Sequence, residues 1–172
     1  YKIGISLIPN VGPILTRRLL TAVGSPEGVF RESPSRLRKI PGFGEFLIKQ
    51  IQNPDIMTKA EQEIAFIDKF KIKHLFYTDV NYPLRLKQCE DAPVIFYFKG
   101  DVDWNSNRII SIVGTRSATG YGKEVCMKLI EGCVERGHQP IIVSGLAYGI
   151  DITAHRQALK NGLHTVAVRG HG

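Results

Sequence analysis

The sequence predicts an α/β chain in two unlike halves: a small all-helical domain over residues 1–60, then a parallel-sheet domain over 61–172. Three observations predict it. Before residue 54, prolines and glycines punctuate short apolar runs at helical spacing. From Arg108 onward, β-prone runs alternate with helical patterns, which demands parallel strands joined by right-handed crossovers. The hydrophobic fraction of 43% and charged fraction of 23% are those of an ordinary globular protein and exclude a disordered chain.

Five short helices fit before residue 54. Pro13 suits a first helical position, Ile14, Leu15, Leu19, Leu20 and Val23 follow on one face, and Gly24 offers a C-cap. Ser25-Pro26 and Ser33-Pro34 are two further cap-plus-proline starts. Leu37 and Ile40 close a short helix before Pro41, and Phe46, Leu47, Ile48 and Ile51 give another, ended by Asn53-Pro54. A longer helix is expected over 54–70, with Ile56, Ala60, Ile64 and Ile67 on one side. His74–Tyr77 reads as a short strand, Asn81-Tyr82-Pro83 as a turn, and Val94–Phe98 as a strand buried on both faces.

The second half reads as βαβαβ. Strands are expected at Ile109–Val113, Ile141–Val143 and Thr165–Val168. The helices between them run from Tyr121 to Arg136, with Val125, Leu129, Ile130 and Cys133 inward, and from Ile150 to Leu159. This is a Rossmann-like half. The sequence ends just after a strand, so the sheet is expected to be the N-terminal part of a C-terminally truncated domain.

Charge and repetition single out the first half. The chain has a net charge of +7, and residues 1–60 hold nine Lys/Arg against four Asp/Glu. That balance points to a polyanionic partner such as nucleic acid, or to a solvated basic surface. Within the segment, Ile8-Pro9-Asn10-Val11-Gly12 recurs as Ile40-Pro41-Gly42-Phe43-Gly44. Each copy ends in a glycine that opens a helix. The pattern resembles a tandem helix-hairpin-helix element in a SAM-like module, in which free amides of a helix N-terminus face a phosphate. Gly12, Gly42, Gly44, Arg17, Arg18 and Lys49 are therefore a possible second DNA contact, with Arg38 and Lys39 nearby. Equally, the glycines serve only to turn one helix into the next.

The main candidate site lies where the parallel strands end, because open α/β sheets bind ligands beyond the carboxyl ends of their strands. Two glycine-rich loops stand there, Gly114–Gly122 and Ser144–Asp151, each leading into a helix. They offer backbone amides, hydroxyls and two helix dipoles to an anion. Arg116 can clamp a phosphate with two donors, and Lys123 is a second cation. Tyr121 and Tyr148 offer stacking faces. Asp151 and His155 are four apart on one helical face, placed to bond each other or to act as a helix cap and an interior hydrogen-bonding residue.

Other chemistries lack their signatures. No G-x-G-x-x-G supports a dinucleotide cofactor, no Walker sequence supports NTP hydrolysis, and Ser144 lacks a nucleophile-elbow frame, so no cofactor is expected. Cys89, Cys126 and Cys133 make no disulfide framework or metal set and read as reduced thiols of a cytoplasmic protein. No run approaches about 20 apolar residues, the length that a membrane span needs.

The segment IVGTRSATGYGKE, with IIVSGLAYGIDITAHRQAL and TVAV, closely resembles the DNA-processing protein A family, also called Smf. The upstream NYPLRLKQCEDAPVIFYFKGD and the helical lead-in resemble it too. The resemblance implies a single-stranded DNA-binding protein of natural transformation. Such proteins protect incoming strands, help load a RecA-type recombinase, form homodimers and are not established as enzymes. Carried over by motif, Gly114, Thr115 and Arg116 would hold a DNA phosphate, with Ser117, Gly122 and Lys123 as further candidates of the same pocket. Ser144, Gly145, Ala147, Tyr148 and Gly149 form the facing part of the pocket. Tyr148 stands where many relatives have Lys or Arg, which exchanges a charge for a ring able to stack on a base. Two other classes remain open: a small-nucleotide-binding or nucleotide-hydrolysing enzyme, with Asp151 its one obvious carboxylate, and an interaction module working through the basic helical half.

Overall fold

The computed structural model describes residues 1–170; His171 and Gly172, the last two residues of the expected Rossmann-like domain, lie outside them. The chain divides into two compact units, Tyr1–Trp104 and Asn105–Gly172.

Unit 1 opens with five short helices: α1 (Lys2–Ser6), α2 (Pro13–Val23), α3 (Pro26–Arg31), α4 (Pro34–Leu37) and α5 (Glu45–Ile51). The sequence punctuation acts as expected. Gly24 caps α2 in the left-handed region at φ 94°, with its amide on Leu20 O at 2.8 Å. Ser25 and Ser33 accept from the amides of Gly28 at 3.0 Å and Arg36 at 3.4 Å, starting α3 and α4. Ile5, Leu19, Val29, Leu37, Ile48 and Ile51 are fully buried and form the centre of one core. Each such side chain contributes about 1.5–3 kcal/mol by leaving water.

That core does not stop near residue 60. Helix α6 (Asp55–Phe70) adds Ile56, Ala60 and Ile67, while Ile64 is exposed. Strands β1 (Lys73–Phe76) and β2 (Ile95–Phe98), either side of the single turn α7 (Leu84–Lys87), add Phe76 and Ile95 to the same cluster, and Val94, just before β2, joins them. The compact unit therefore runs on to Trp104, because the hairpin has its apolar face on the helices. The strands pair antiparallel, from Lys73 opposite Phe98 to Phe76 opposite Ile95. β2 belongs to this two-stranded sheet, and Tyr97 is exposed, so the expectation of a strand buried on both faces is corrected. An uninterrupted apolar run here reflects aromatic packing: Trp104 stands edge-on to Phe96 and Phe98, and the buried Tyr82 packs edge-on against Phe96. Tyr82 donates its hydroxyl to Pro93 O at 2.6 Å, and burial pushes its phenol up.

Unit 2 is the predicted βαβαβ: β3 (Ile109–Ser111), α8 (Gly120–Glu135), β4 (Ile141–Gly145), α9 (Ile150–Lys160) and β5 (Thr165–Val168). The strands are parallel in the order β3-β4-β5, with Ile109 opposite Ile141 and Ile142 opposite Thr165. This is a Rossmann-like fold. The two helices pack on each other, and α9 lies on β4 and β5. Their shared core is Cys126, Ile130, Ile142, Ala154, Ala158 and Leu163. The inward line of α8 thus runs through Cys126 and Ile130; Val125 and Leu129, expected inside, are 47% and 53% exposed. Burial raises the Cys126 thiol, which makes it a packing residue. No helix among the described residues is long and apolar enough to cross a membrane.

Candidate functional site

The first loop of unit 2 leaves β3 and reaches α8 at Thr119, whose hydroxyl accepts from the Gly122 amide at 3.1 Å. This side-chain cap was not foreseen from the sequence. The first turn of α8 carries no acidic residue, and the amides of Gly120 and Tyr121 have no acceptor within the helix. Its positive end is open to an anion.

The second loop reaches α9 through Gly149, at φ 83° and ψ −123°. A Cβ there would collide with the carbonyl oxygens of Thr115 and Arg116. This close approach lets the Ile150 amide donate to Thr115 O at 3.2 Å, so the two loops meet through their backbones. Gly114 is needed for the same seam, since a Cβ would stand 2.6 Å from Ile150 Cγ1.

Along the seam lies a cleft of about 610 Å³. Arg116, Ser117, Ala118 and Lys123 line one side; Tyr148, Gly149, Ile152, Thr153 and Arg156 line the other. Arg116, Lys123 and Arg156 are exposed and hold no hydrogen bond or ion pair among the described residues. Tyr148 is 84% exposed, its ring free to meet a flat partner. Arg156 was missed by the sequence reading. Its signal was helical spacing: it stands four residues after Ile152, on the face of α9 that continues from Gly149.

The remaining expected residues shape the cleft rather than line it. Ser144 is 2% exposed and donates its hydroxyl to Ile112 O at 2.6 Å, tying β4 to β3. Thr115 Oγ1 accepts from the Ser117 amide at 3.2 Å, and Ala147 O accepts from the Ile152 amide at 3.2 Å. Gly122 has its amide on Thr119, and Gly145 leaves room for the Asp151 carboxylate, which a Cβ would strike. Asp151 is buried in the first turn of α9, where its charge occupies the positive end of that helix. The first turn of α9 thus already holds an acid, and that of α8 does not. His155 bonds elsewhere than to Asp151. Its Nε2 donates to Gly145 O at 2.7 Å and its Nδ1 meets Thr165 Oγ1 at 2.7 Å, pinning the end of β4 to the start of β5.

In unit 1 the sequence repeat is a structural repeat. Val11 N donates to Ile8 O at 3.2 Å, and Phe43 N to Ile40 O at 3.1 Å. Asn10 and Gly42 occupy the same left-handed position, at φ 61° and 92°; asparagine tolerates it where most residues do not. Gly12 and Gly44 are the N-caps of α2 and α5, in extended backbone with open space around them. The charges are arranged differently from the phosphate-binding expectation. Arg17 donates to Cys89 O and Glu90 O at 3.1 Å and to Ala92 O at 3.2 Å, and lies over the Tyr77 ring. Burial raises the Tyr77 phenol, against the pull of that guanidinium. Glu45 stands in the first turn of α5 and pairs with Arg38, so the second copy has a carboxylate where a phosphate would sit. Lys49 lies in the last turn of α5, away from the amides of Gly44.

Residues 73–172 match the family described as DNA recombination-mediator protein A. The chain belongs to this family. Protein Smf from a Synechocystis strain is 30% identical over 176 residues, spanning all of this chain and 44% of that protein. The DNA processing protein DprA of Streptococcus pneumoniae is 41% identical over 91 residues, 53% of this chain and 31% of that one. The X-ray structure of that DprA aligns over all of this chain and 56% of its own, with a TM-score of 0.62 and 28% identity. The chain thus spans about half, or less, of the length of the DprA and Smf proteins it matches. The family match takes in the β1–β2 hairpin, both glycine loops of unit 2 and every residue of the cleft.

Proposed function

We propose that the chain acts in DNA recombination by holding single-stranded DNA in the cleft of unit 2. The observation that carries this reading is the seam itself. Two glycine loops in backbone contact bring around one cleft three cations that have no partner among the described residues, and the open N-terminus of α8 stands in the chain between two of the lining residues, Ala118 and Lys123. A phosphate there meets Arg116 in a bidentate pair, the α8 amides, and the charges of Lys123 and Arg156. Tyr148 stacks on a neighbouring base, a contact worth about 1–3 kcal/mol and tolerant of sequence. This grip serves natural transformation: the strand is shielded from nucleases and handed to a RecA-type recombinase, with the protein as a homodimer. The helical repeat of unit 1 is not given a DNA role, because its Arg17 is engaged and its second turn carries Glu45. The nucleotide-hydrolase reading gains no support, since Asp151 faces Gly145 and does not line the cleft.

The test is a salt titration of binding to oligo-dT. For Arg116→Ala, affinity falls for all sequences alike and the slope of log K against log[salt] drops by roughly 0.7, one phosphate contact on a single strand. Unchanged affinity and slope would remove Arg116, and the cleft with it, from the DNA site.

A further inference from the structure

Unit 1 holds a larger cleft, of about 1000 Å³, between α2 and the turn that follows α4. Its floor is aliphatic: Ile14, Val23, Ile40 and Pro41 line it. Ile14 is 47% exposed there, although it sits on a helix whose other face is core. The rim is basic. Arg18 and Lys39 line the cleft and are exposed, with no hydrogen bond or ion pair among the described residues. Arg36 adds a charge shared with Glu32 at 3.2 Å.

This combination does not suit a nucleic acid. No aromatic side chain among the described residues lines the cleft, so a base finds no stacking face. Arg17, which also lines the cleft, has both terminal nitrogens on backbone carbonyls and is not free to take a phosphate. An aliphatic floor edged by free cations instead complements a segment that carries both aliphatic and carboxylate side chains. The volume is at the upper end for small-ligand sites, roughly 300–1,000 Å³, and takes several side chains at once. We propose that this cleft docks an acidic amphipathic helix of a partner protein. Its aliphatic stripe lies on Ile14 and Ile40, and its Asp or Glu side chains reach Arg18 and Lys39. The proposal is independent of the single-strand reading.

The probe is a display library of random peptides of about 15 residues, roughly four helical turns. It is selected on the whole chain and counter-selected on the Arg18→Glu, Lys39→Glu double variant. The expected winners carry Asp or Glu beside Leu, Ile or Val at i, i+3 and i+4. In fluorescence anisotropy they lose about tenfold in affinity on the double variant and on Ile14→Asp. The milder pair Arg18→Gln, Lys39→Gln gives the same direction in a chain whose thermal melt matches the original. Oligo-dT affinity stays unchanged in all of them. The idea is overturned if no peptide is enriched over the counter-selection, or if the winners lack acids. Duplex DNA that displaces the winners and is itself lost on the same variants would assign the cleft to nucleic acid and equally overturn it.

Discussion

The two units use glycine turns in opposite ways. In unit 1 the turns before α2 and α5 build a core: Ile8, Val11, Ile40 and Phe43 are buried beneath them, and nearby cations are partly absorbed by the protein. Arg17 clamps the segment after α7, Arg38 holds Glu45, and Arg36 faces Glu32. In unit 2 the glycines bring two loops into backbone contact, and the cations around them have no protein partner among the described residues. The lesson is that a Gly-rich turn and a basic count do not define an anion site. What matters is whether the charge already has an acceptor, because an engaged guanidinium must give up existing hydrogen bonds to take a new one.

The contrast can be broken at several points. The largest effect is expected at Gly149→Ala, where a Cβ strikes the carbonyls of Thr115 and Arg116 at a positive φ. Stability should fall by about 3 kcal/mol or more, seen as a large drop in thermal midpoint. Gly12→Ala and Gly44→Ala have negative φ and open space, and should stay within about 1 kcal/mol of the parent. Equal losses at all three would erase the distinction. Next comes Arg17→Ala, which removes three hydrogen bonds to carbonyls of the segment after α7. It should cost about 2 kcal/mol in denaturant unfolding and leave oligo-dT affinity intact, the reverse of Arg116→Ala. Thr119→Ala should cost about 1 kcal/mol through the lost cap of α8.

The smallest effect is a pH dependence in unit 1. Burial alone would raise Asp79, but its bond from Lys2 Nζ at 2.6 Å, the Phe76 amide at 2.8 Å and the nearby Lys2 and His74 charges hold its carboxyl below the usual range. A carboxyl lowered by folding stabilises above its unfolded pKa, and that contribution is lost as pH falls through the folded value. Asp79→Asn should therefore lower stability at neutral pH and flatten the acid limb of the unfolding curve, with little change at the most acid end.

How much was legible follows from the range of the interaction. Caps and breakers act over three or four residues, so Pro13, Gly24, Ser25 and Ser33 could be placed by eye, and the βαβαβ alternation could be counted. The membership of a core is set by residues far apart in sequence. Nothing local says that Phe76 and Ile95 join Ile48, or that Leu129 faces water while Ile130 does not. The same holds at the site. Arg116 and Tyr148 were visible as residues in glycine loops, but Arg156 lies within a helix, where its spacing from Gly149 and Ile152 counts only once that face is known to meet the first loop. Ser144 looked like a ligand because hydroxyls in such loops often are; only the parallel pairing of β3 and β4 brings Ile112 O within its reach.

By itself the sequence determined where α2, α3 and α4 start, the alternation of strand and helix in unit 2, and the repeated turn, since φ preferences and capping are properties of a few adjacent residues. Tertiary structure alone decided which cations stay unpaired, which glycines admit no Cβ and where the first compact unit ends. Those depend on which distant backbone and side-chain atoms arrive within about 3–4 Å, the range over which hydrogen bonds and packing contacts act.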